Sequence, residues 1–167
     1  LFVAESKIEG PLVSSDISGL IGQYAHGNEP SHHIVHLYNY VNQSWKAQQL
    51  IDTILHTQYF NNPNGLSGNE DCGQMSAWYV LNAMGFYQVC PGSPIYSVGR
   101  PIFDKVTINL PNGKVFEIIA NNNSRTNKYI QSIRLDNILL ESPFFMHSDI
   151  MKGGKIVMEM GNTPVKQ

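Results

Sequence analysis

The sequence has little charge, few cysteines and no long apolar run. Charged residues make up 14% and apolar residues 42% of its 167 residues, which excludes intrinsic disorder because a disordered chain carries more charge and less apolar surface. The net charge of −2 argues against binding to a nucleic-acid backbone or an anionic membrane. No apolar run approaches the ~20 residues of a membrane-spanning helix. Neutral polar side chains dominate instead and suit a large protein partner or a polar, uncharged ligand.

The two cysteines, Cys72 and Cys90, are too few for a disulfide framework. They lie close enough in sequence to form one bridge in an oxidising compartment, but two free, buried thiols are the favoured interpretation. The segment Leu1–Glu9 has no basic part followed by an apolar stretch, and the sequence does not begin with methionine. We therefore expect the chain to be part of a longer polypeptide.

Hydrophobic periodicity predicts an α+β fold with two regions that meet near Pro94. Apolar residues recur at helical spacing in region 1–94 and alternate in region 95–167. The patterns predict three helices, from Pro30 or Ser31 to about Val41, from Ser44 to about Tyr59, and from Asn69–Asp71 to Met84. They predict strands at Lys105–Leu110, Lys114–Ile119, Tyr129–Leu135 and Lys155–Met160, with a hairpin turn at Pro111-Asn112-Gly113. Turns are also predicted at Gly10-Pro11 and at Ser14-Ser15-Asp16.

The short connection between the first two predicted helices makes them antiparallel neighbours. The loops that precede the first and third helices must then lie at the same end of the helical layer. These loops share a motif, which reads Gly27-Asn28-Glu29 in one and Gly68-Asn69-Glu70 in the other. The sequence thus predicts a rim that carries Asn28, Glu29 and Asp71 around a shared cavity.

Asp71 is predicted in the first turn of the third helix, where the positive end of the helix dipole favours an ionised carboxylate. An ionised group there would serve as a base or a metal ligand. The alternative is purely structural: Asp71 would cap the helix, and Glu29 would be an ordinary first-turn charge.

Two further groups of residues have competing interpretations. His32, His33 and His36 form an H-H-x-x-H pattern, which either holds a transition metal or places a histidine in a polar pocket. Trp78 lies with Met75, Tyr79 and Leu81 on the third helix. These side chains are expected in the core, although the ring of Trp78 could instead form the floor of a sugar site.

Two long segments resemble glycoside hydrolase family 92, a family of calcium-dependent exo-acting α-mannosidases. They are GQYAHGNEPSHHIVHLYNY (Gly22–Tyr40) and GLSGNEDCGQMSAWYVLNAMGFYQVCPGSPIYSVGRPIF (Gly65–Phe103), and the resemblance continues through YIQSIRLDN and GGKIVMEMG. Members of this family are several times longer than this chain. The resemblance therefore implies a C-terminal portion, with the final helices of an (α/α)6 barrel in region 1–94 and an antiparallel, β-sandwich-like segment in region 95–167.

The resemblance also implies roles for individual residues. Asp71 corresponds to the general base of an inverting mechanism, and the general acid is expected upstream of Leu1. Asn28 and Glu29 correspond to residues around the calcium ion and the mannose. Asn69 occupies a position where some members have a second carboxylate, which puts its assisting role in doubt. The candidate substrate-binding residues are Asn69, Glu70, His26 and Trp78.

The leading hypothesis is therefore that this chain is part of an inverting, calcium-dependent exo-α-mannosidase. The enzyme would act on terminal, α-1,2-linked mannose of N-glycan or mannan chains. The resemblance implies a secreted, periplasmic or cell-surface location. One alternative is a non-catalytic carbohydrate-binding or structural module. A phosphorylase is disfavoured because neither rim loop contains Lys or Arg to bind phosphate. The 167 residues alone are expected to lack activity and to self-associate, since the acid and most of the barrel would be missing.

Overall fold

The computed structural model describes residues 1–10 and 17–166. The turn predictions at Pro11 and at Ser14–Asp16 lie outside the described residues. The fold is α+β, as predicted. The described residues form three α-helices and ten strands. In chain order they are β1 (Leu20–Ile21), β2 (Tyr24–Ala25), α1 (Ser44–Thr57), α2 (Gln74–Met84), β3 (Phe86–Tyr87), β4 (Ile95–Val98), β5 (Lys105–Asn109), β6 (Val115–Asn121), β7 (Tyr129–Leu135), β8 (Ile138–Leu139), β9 (Phe144–Met146), α3 (His147–Lys152) and β10 (Gly154–Gly161).

The first predicted helix consists of two 3₁₀ segments, Glu29–Ser31 and Ile34–Val41. A 3₁₀ helix has three residues per turn, so His36 and Asn39 share one face, and both are buried. Val41, which an α-helical stripe would turn inward, is 59% exposed. The structure thus has 3₁₀ winding in the range of the predicted helix, because over so short a segment the sequence does not distinguish the two windings.

The second and third helices form where the apolar pattern predicted them, although their ends differ. α1 begins at Ser44 as predicted and ends at Thr57, with Ile51, Ile54 and Leu55 buried. α2 begins only at Gln74 but ends at Met84, as predicted, and the left-handed conformation of Gly85 closes the helix.

The main sheet has the strand order β5-β6-β10-β7-β8. β10 pairs antiparallel with β7 and parallel with β6, so the sheet is mixed and the prediction of a purely antiparallel segment was wrong. The chain reaches β10 through β9 and α3, and this connection allows β10 to enter beside β6 in the same direction. A second sheet has the order β3-β4-β9. Its three strands and the helix α3 were not predicted, since the strands are short and α3 has only six residues.

Two hydrophobic clusters hold these layers together. One lies in the β region and includes Phe116, Ile156 and Met158. The other lies between the helices and includes Ile51 and Trp78. The division at residue 94 stays a prediction, and β3 from the first region pairs with β4 from the second.

The buried carboxylate of Asp52 joins α1 to the segments that flank the main sheet. Its Oδ1 lies 3.0 Å from Nε of Arg100, which is itself buried, and 3.6 Å from a guanidinium nitrogen of Arg125. Its Oδ2 lies 3.6 Å from Nζ of Lys128. Three cations around one buried carboxylate fix the helical layer against the strands, because removal of one partner of a buried ion pair leaves an uncompensated charge. Among residues 1–10 and 17–166, no helix combines the length and the hydrophobicity that crossing a bilayer requires.

Candidate active site

The two Gly-Asn-Glu loops meet at one end of the helical layer, as the sequence predicted. Gly68 has φ +88°, and a Cβ atom added to it would lie 2.7 Å from the carbonyl oxygen of Gly27 and 2.9 Å from its Cα. A Cβ atom added to Gly27 would lie 2.8 Å from the carbonyl oxygen of Ser67. Glycine is therefore required on both sides of this contact, because any side chain would push the loops apart.

Asp71 does not lie in the first turn of α2, contrary to the prediction. Asp71, Cys72 and Gly73 have φ values of 44°, 56° and 92°, so three successive residues adopt the left-handed conformation before the helix begins. Gly73, which occupies the N-cap position, makes no side-chain cap hydrogen bond. Left-handed backbone costs energy in a non-glycine residue and is concentrated at functional sites.

The capping role that one interpretation gave to Asp71 belongs to Glu70. Its carboxylate accepts hydrogen bonds from the backbone N–H of Ser76 at 3.1 Å and from the Ser76 hydroxyl at 2.9 Å. Asp71 is exposed, and its carboxylate accepts no hydrogen bond from any other residue that the structure describes. The turn thus leaves the Asp71 carboxylate available for chemistry while Glu70 holds the helix end.

A hydrogen-bonded network of buried aromatic and histidine side chains packs beneath the two Gly-Asn-Glu loops. The indole N–H of Trp78 donates to the carbonyl of His32 at 3.0 Å, and Nε2 of His32 donates to the carbonyl of His26 at 3.0 Å. Gln74, at the start of α2, donates to Nδ1 of His32 at 3.0 Å and to the hydroxyl of Tyr87 at 3.1 Å. These bonds tie the loop around Glu29 to the helix that follows Asp71.

His26 is held between two tyrosines. The hydroxyl of Tyr59 donates to the carbonyl of Met75 at 3.1 Å, so it accepts a hydrogen bond from Nε2 of His26 at 2.7 Å. Nδ1 of His26 then accepts from the hydroxyl of Tyr24 at 2.9 Å. This arrangement fixes a neutral imidazole.

His26 and Trp78 are both fully buried. Neither side chain presents a surface to a sugar in this arrangement, so the prediction that they contact substrate directly does not fit the structure. The core interpretation of Trp78 is confirmed, and its ring stacks over Tyr59 with a centroid distance of 6.1 Å. Asn69 is exposed on the rim loop, and its assignment to substrate binding stays a prediction, as does that of Glu70.

The H-H-x-x-H pattern does not form a metal site. His36 donates from Nε2 to Oδ1 of Asn82 at 2.9 Å, and its Nδ1 accepts from the hydroxyl of Ser97 at 3.2 Å. Both nitrogens of His32 are engaged as well, so neither imidazole has a lone pair free for a metal. Within the part of the chain that the structure describes, no group of three or more His, Cys, Asp or Glu side chains is placed to hold a metal ion.

Burial sets the ionisation of this network. It lowers the pKa of His26 to about 3 and that of His36 to about 4, and it also lowers the pKa of His32. Burial raises the pKa of Tyr24 and Tyr59 well above that of free tyrosine. All five side chains are therefore neutral near pH 7, and none is poised as an acid or a base at that pH.

We expect this network to make the protein less stable in mild acid. Between pH 6.5 and the lowered pKa values, the unfolded chain binds protons that the folded chain cannot, so stability is complete above pH 6.5 and falls as the pH decreases. Each histidine that stays unprotonated in the folded chain makes the free energy of unfolding fall by about 1.4 kcal/mol per pH unit in that window. Urea unfolding from pH 7 to pH 5 measures the slope, and the variant His36→Gln should show a shallower one. An unfolding free energy that is constant over this range would contradict a neutral, buried network.

The loop around Glu29 presents oxygen ligands of the kind that a hard cation prefers. Oε1 of Glu29 is buried and has no hydrogen-bond partner among residues 1–10 and 17–166, which is costly for a carboxylate unless a ligand satisfies it. The side chain of Asn28 is exposed beside it. Carboxylate and amide oxygens are typical ligands of Ca²⁺, so the chemistry of these two residues suits such an ion.

Sequence reasoning missed Gln74, Tyr59 and Glu70 as the residues that fix the loops. Glu70 lies six residues before Ser76, whereas the residues of a capping box are three apart, so no local pattern predicts this contact. The contacts of Tyr59 and Gln74 join segments far apart in sequence, and no local pattern predicts them. Cys72 and Cys90 are free, as predicted, but both are exposed and not buried.

Comparison with known proteins identifies the family to which these features belong. Residues 2–162 match the glycosyl hydrolase family 92 catalytic domain. The chain is a member of glycosyl hydrolase family 92. This confirms the resemblance in the two rim segments.

Solved structures of the family superpose on most of the chain. A GH92 α-mannosidase from Bacteroides thetaiotaomicron, in complex with mannoimidazole, matches with a TM-score of 0.92 and 42% identity, over 99% of this chain and 22% of the other. A GH92 inverting mannosidase from the same organism matches with a TM-score of 0.80 and 42% identity, over 86% of this chain and 19% of the other.

A curated relative, an uncharacterised secreted glycosidase from Arthroderma benhamiae, is 27% identical over 138 residues, which are 81% of this chain and 18% of that protein. The chain therefore spans about a fifth of the length of the relatives that it matches.

Proposed function

We propose that this chain is the C-terminal part of an inverting exo-α-mannosidase that removes terminal mannose, α-1,2-linked, from N-glycan or mannan chains outside the cell. The observation that carries the proposal is the contact between Gly27 and Gly68, which sets the loop of Asp71 against the loop of Glu29 in a member of family 92. The mannosidases of known structure support the substrate class, and the secreted relative supports the location. In this proposal α1, α2 and the 3₁₀ segments belong to the end of an (α/α)6 barrel.

Asp71 acts as the general base. Its exposed carboxylate accepts a proton from a water molecule, which then attacks the anomeric carbon from the face opposite the leaving group. An inverting glycosidase needs an acid about 6.5–9.5 Å from that base, and we assign the acid to the polypeptide upstream of Leu1. The left-handed turn leaves the Asp71 carboxylate exposed, and the hydrogen bonds that Ser76 donates to Glu70 keep the turn in place when Asp71 changes protonation.

Asn28 and Glu29 bind calcium in this proposal. The unpartnered Oε1 of Glu29 and the exposed amide of Asn28 are the ligands that this chain supplies. A bound calcium ion would supply a hard Lewis acid, which would attract the hydroxyl oxygens of mannose. Asn69 and Glu70 border the same site. His26, His32 and Trp78 do not contact the sugar but keep the two loops at a fixed separation.

The test is hydrolysis of an aryl α-mannoside by the full-length protein that contains this chain, with the product followed by proton NMR. We expect β-mannose to appear first and to mutarotate later, because the base-activated water inverts the anomeric carbon. The 167-residue chain alone, assayed with calcium and sized by light scattering, should be inactive and self-associated.

Initial release of α-mannose would contradict the inverting mechanism. Absence of hydrolysis of every mannoside, together with retained binding to mannan, would favour a carbohydrate-binding module instead.

A further inference from the structure

A second cavity lies at the opposite end of α1 from the candidate active site. It has a volume of about 300 Å³, within the range of small-molecule sites. Its walls come from the start of α1 near Ser44, from β7 near Ser132, from the segment around Glu141 and from Val165 near the C-terminal end of the described chain. α1 has 14 residues and rises ~1.5 Å per residue, so about 20 Å separates this cavity from the rim that carries Asp71.

Several polar side chains of this cavity have no hydrogen-bond partner among the described residues, whereas Gln48 and Gln131, which also line it, are hydrogen-bonded. In the buried network beneath the rim, each histidine nitrogen has a partner. By contrast, six polar groups that line the cavity make no side-chain hydrogen bond to other residues in the described part of the chain: Asn42, Ser44, Nε1 of Trp45, Ser132, Glu141 and Ser142. They converge from three separate segments, so a ligand that enters the cavity meets donors and acceptors on more than one side.

The chemistry of the lining indicates a neutral, hydroxyl-rich ligand. Among the described residues that line this cavity, only Glu141 is charged, and its carboxylate accepts hydrogen bonds from hydroxyl groups but repels an anion. The half-buried indole of Trp45 adds an aromatic face. It already attracts the ammonium groups of Lys46 and Lys166, at 5.3 Å and 5.6 Å from the ring. Lys166 is exposed, so its ammonium can move aside for the weakly positive C–H face of a pyranose.

We propose that this cavity is a second, non-catalytic site that binds one hexopyranose unit of a glycan against Trp45. The choice of mannose as that unit rests on the proposed function. A glycan held there, about 20 Å from the rim along α1, stays near the protein between successive cleavages at its free ends. The site therefore favours branched or polymeric mannan over a small mannoside, which is too short to occupy both sites.

The test compares polymeric α-mannan with an aryl α-mannoside in the full-length protein and its Trp45→Ala variant. Loss of the aromatic face should raise the Kd for mannan about five- to tenfold, which corresponds to about 1 kcal/mol for a lost aromatic contact. The kcat/KM for the aryl mannoside should stay within a factor of two. Trp45→Phe should retain most of the affinity, and Phe103→Ala, which truncates an exposed aromatic residue outside the cavity, should behave like the wild type.

A second variant protects the test against a folding defect. Ser142 is exposed at the cavity, and Ser142→Tyr should obstruct it and weaken mannan binding to the same extent as Trp45→Ala. Unchanged mannan affinity in both variants would overturn the proposal, and so would a parallel fall in aryl mannoside hydrolysis. A third outcome is a protein that binds mannan through Trp45 and yet hydrolyses no mannoside. That result would refute the proposed function but would still support this second binding site.

Discussion

Replacing Asp71 by asparagine in the full-length protein should lower kcat for an aryl α-mannoside by about 10²- to 10⁴-fold, the usual contribution of general base catalysis. The amide cannot take the proton from water. The variant should fold normally, because asparagine tolerates positive φ as well as aspartate does and because the N-terminal end of α2 is capped by Glu70 and not by Asp71.

Two matched variants separate chemistry from structure in this experiment. Asp104→Asn removes an exposed carboxylate away from the rim and should leave kcat unchanged. Glu70→Gln weakens the cap on α2 and should lower thermal stability more than Asp71→Asn does. Near-normal turnover by the Asp71→Asn enzyme would exclude Asp71 as the base.

Removal of calcium should abolish mannoside hydrolysis, and addition of calcium should restore it. The physical reason is the buried Oε1 of Glu29, which has no partner among the described residues, next to the exposed amide of Asn28. Activity measured against free calcium in a chelator buffer gives the dependence. Glu29→Gln should shift it to a calcium concentration at least tenfold higher, because the ligand charge is lost; a tenfold shift corresponds to about 1.4 kcal/mol.

Calcium affinity itself should be measured by calorimetry, so that the result does not depend on turnover alone. Glu5→Gln, which neutralises an exposed carboxylate, serves as the control and should bind calcium as the wild type does. Full hydrolysis in excess chelator would refute a catalytic cation. Unchanged calcium affinity in Glu29→Gln would place the ion elsewhere.

Several residues behave as local patterns predict. α1 follows the apolar residues from Leu50 to Leu55, and β7 occupies the predicted range Tyr129–Leu135. The short connection between the predicted helices was enough to bring Gly27 beside Gly68. These results depend on neighbours in sequence, where periodicity, turn residues and chain length constrain the structure directly.

The sequence misassigned features that depend on contacts over long sequence distances. β10 enters the sheet parallel to β6 and antiparallel to β7. The alternation of apolar residues in β10 indicates which face is buried but not the direction of the neighbouring strands, and the connection through β9 and α3 allows the parallel pairing. The pattern H-H-x-x-H satisfied the spacing of a metal site, but Gln74, Asn82 and Ser97 occupy the imidazole nitrogens. Each of these partners lies more than 35 residues from the histidine that it contacts.

By itself, the sequence determined the α+β class, the principal helices and strands, the meeting of the two Gly-Asn-Glu loops and, through long distinctive segments, the family. The tertiary structure decided which carboxylate is free and which is structural. Asp71 and Glu70 are adjacent and chemically alike, so local preference treats them almost equally. Three left-handed residues place Glu70 on the amide of Ser76 and leave Asp71 at the surface, because the loop must both contact Gly27 and join α2.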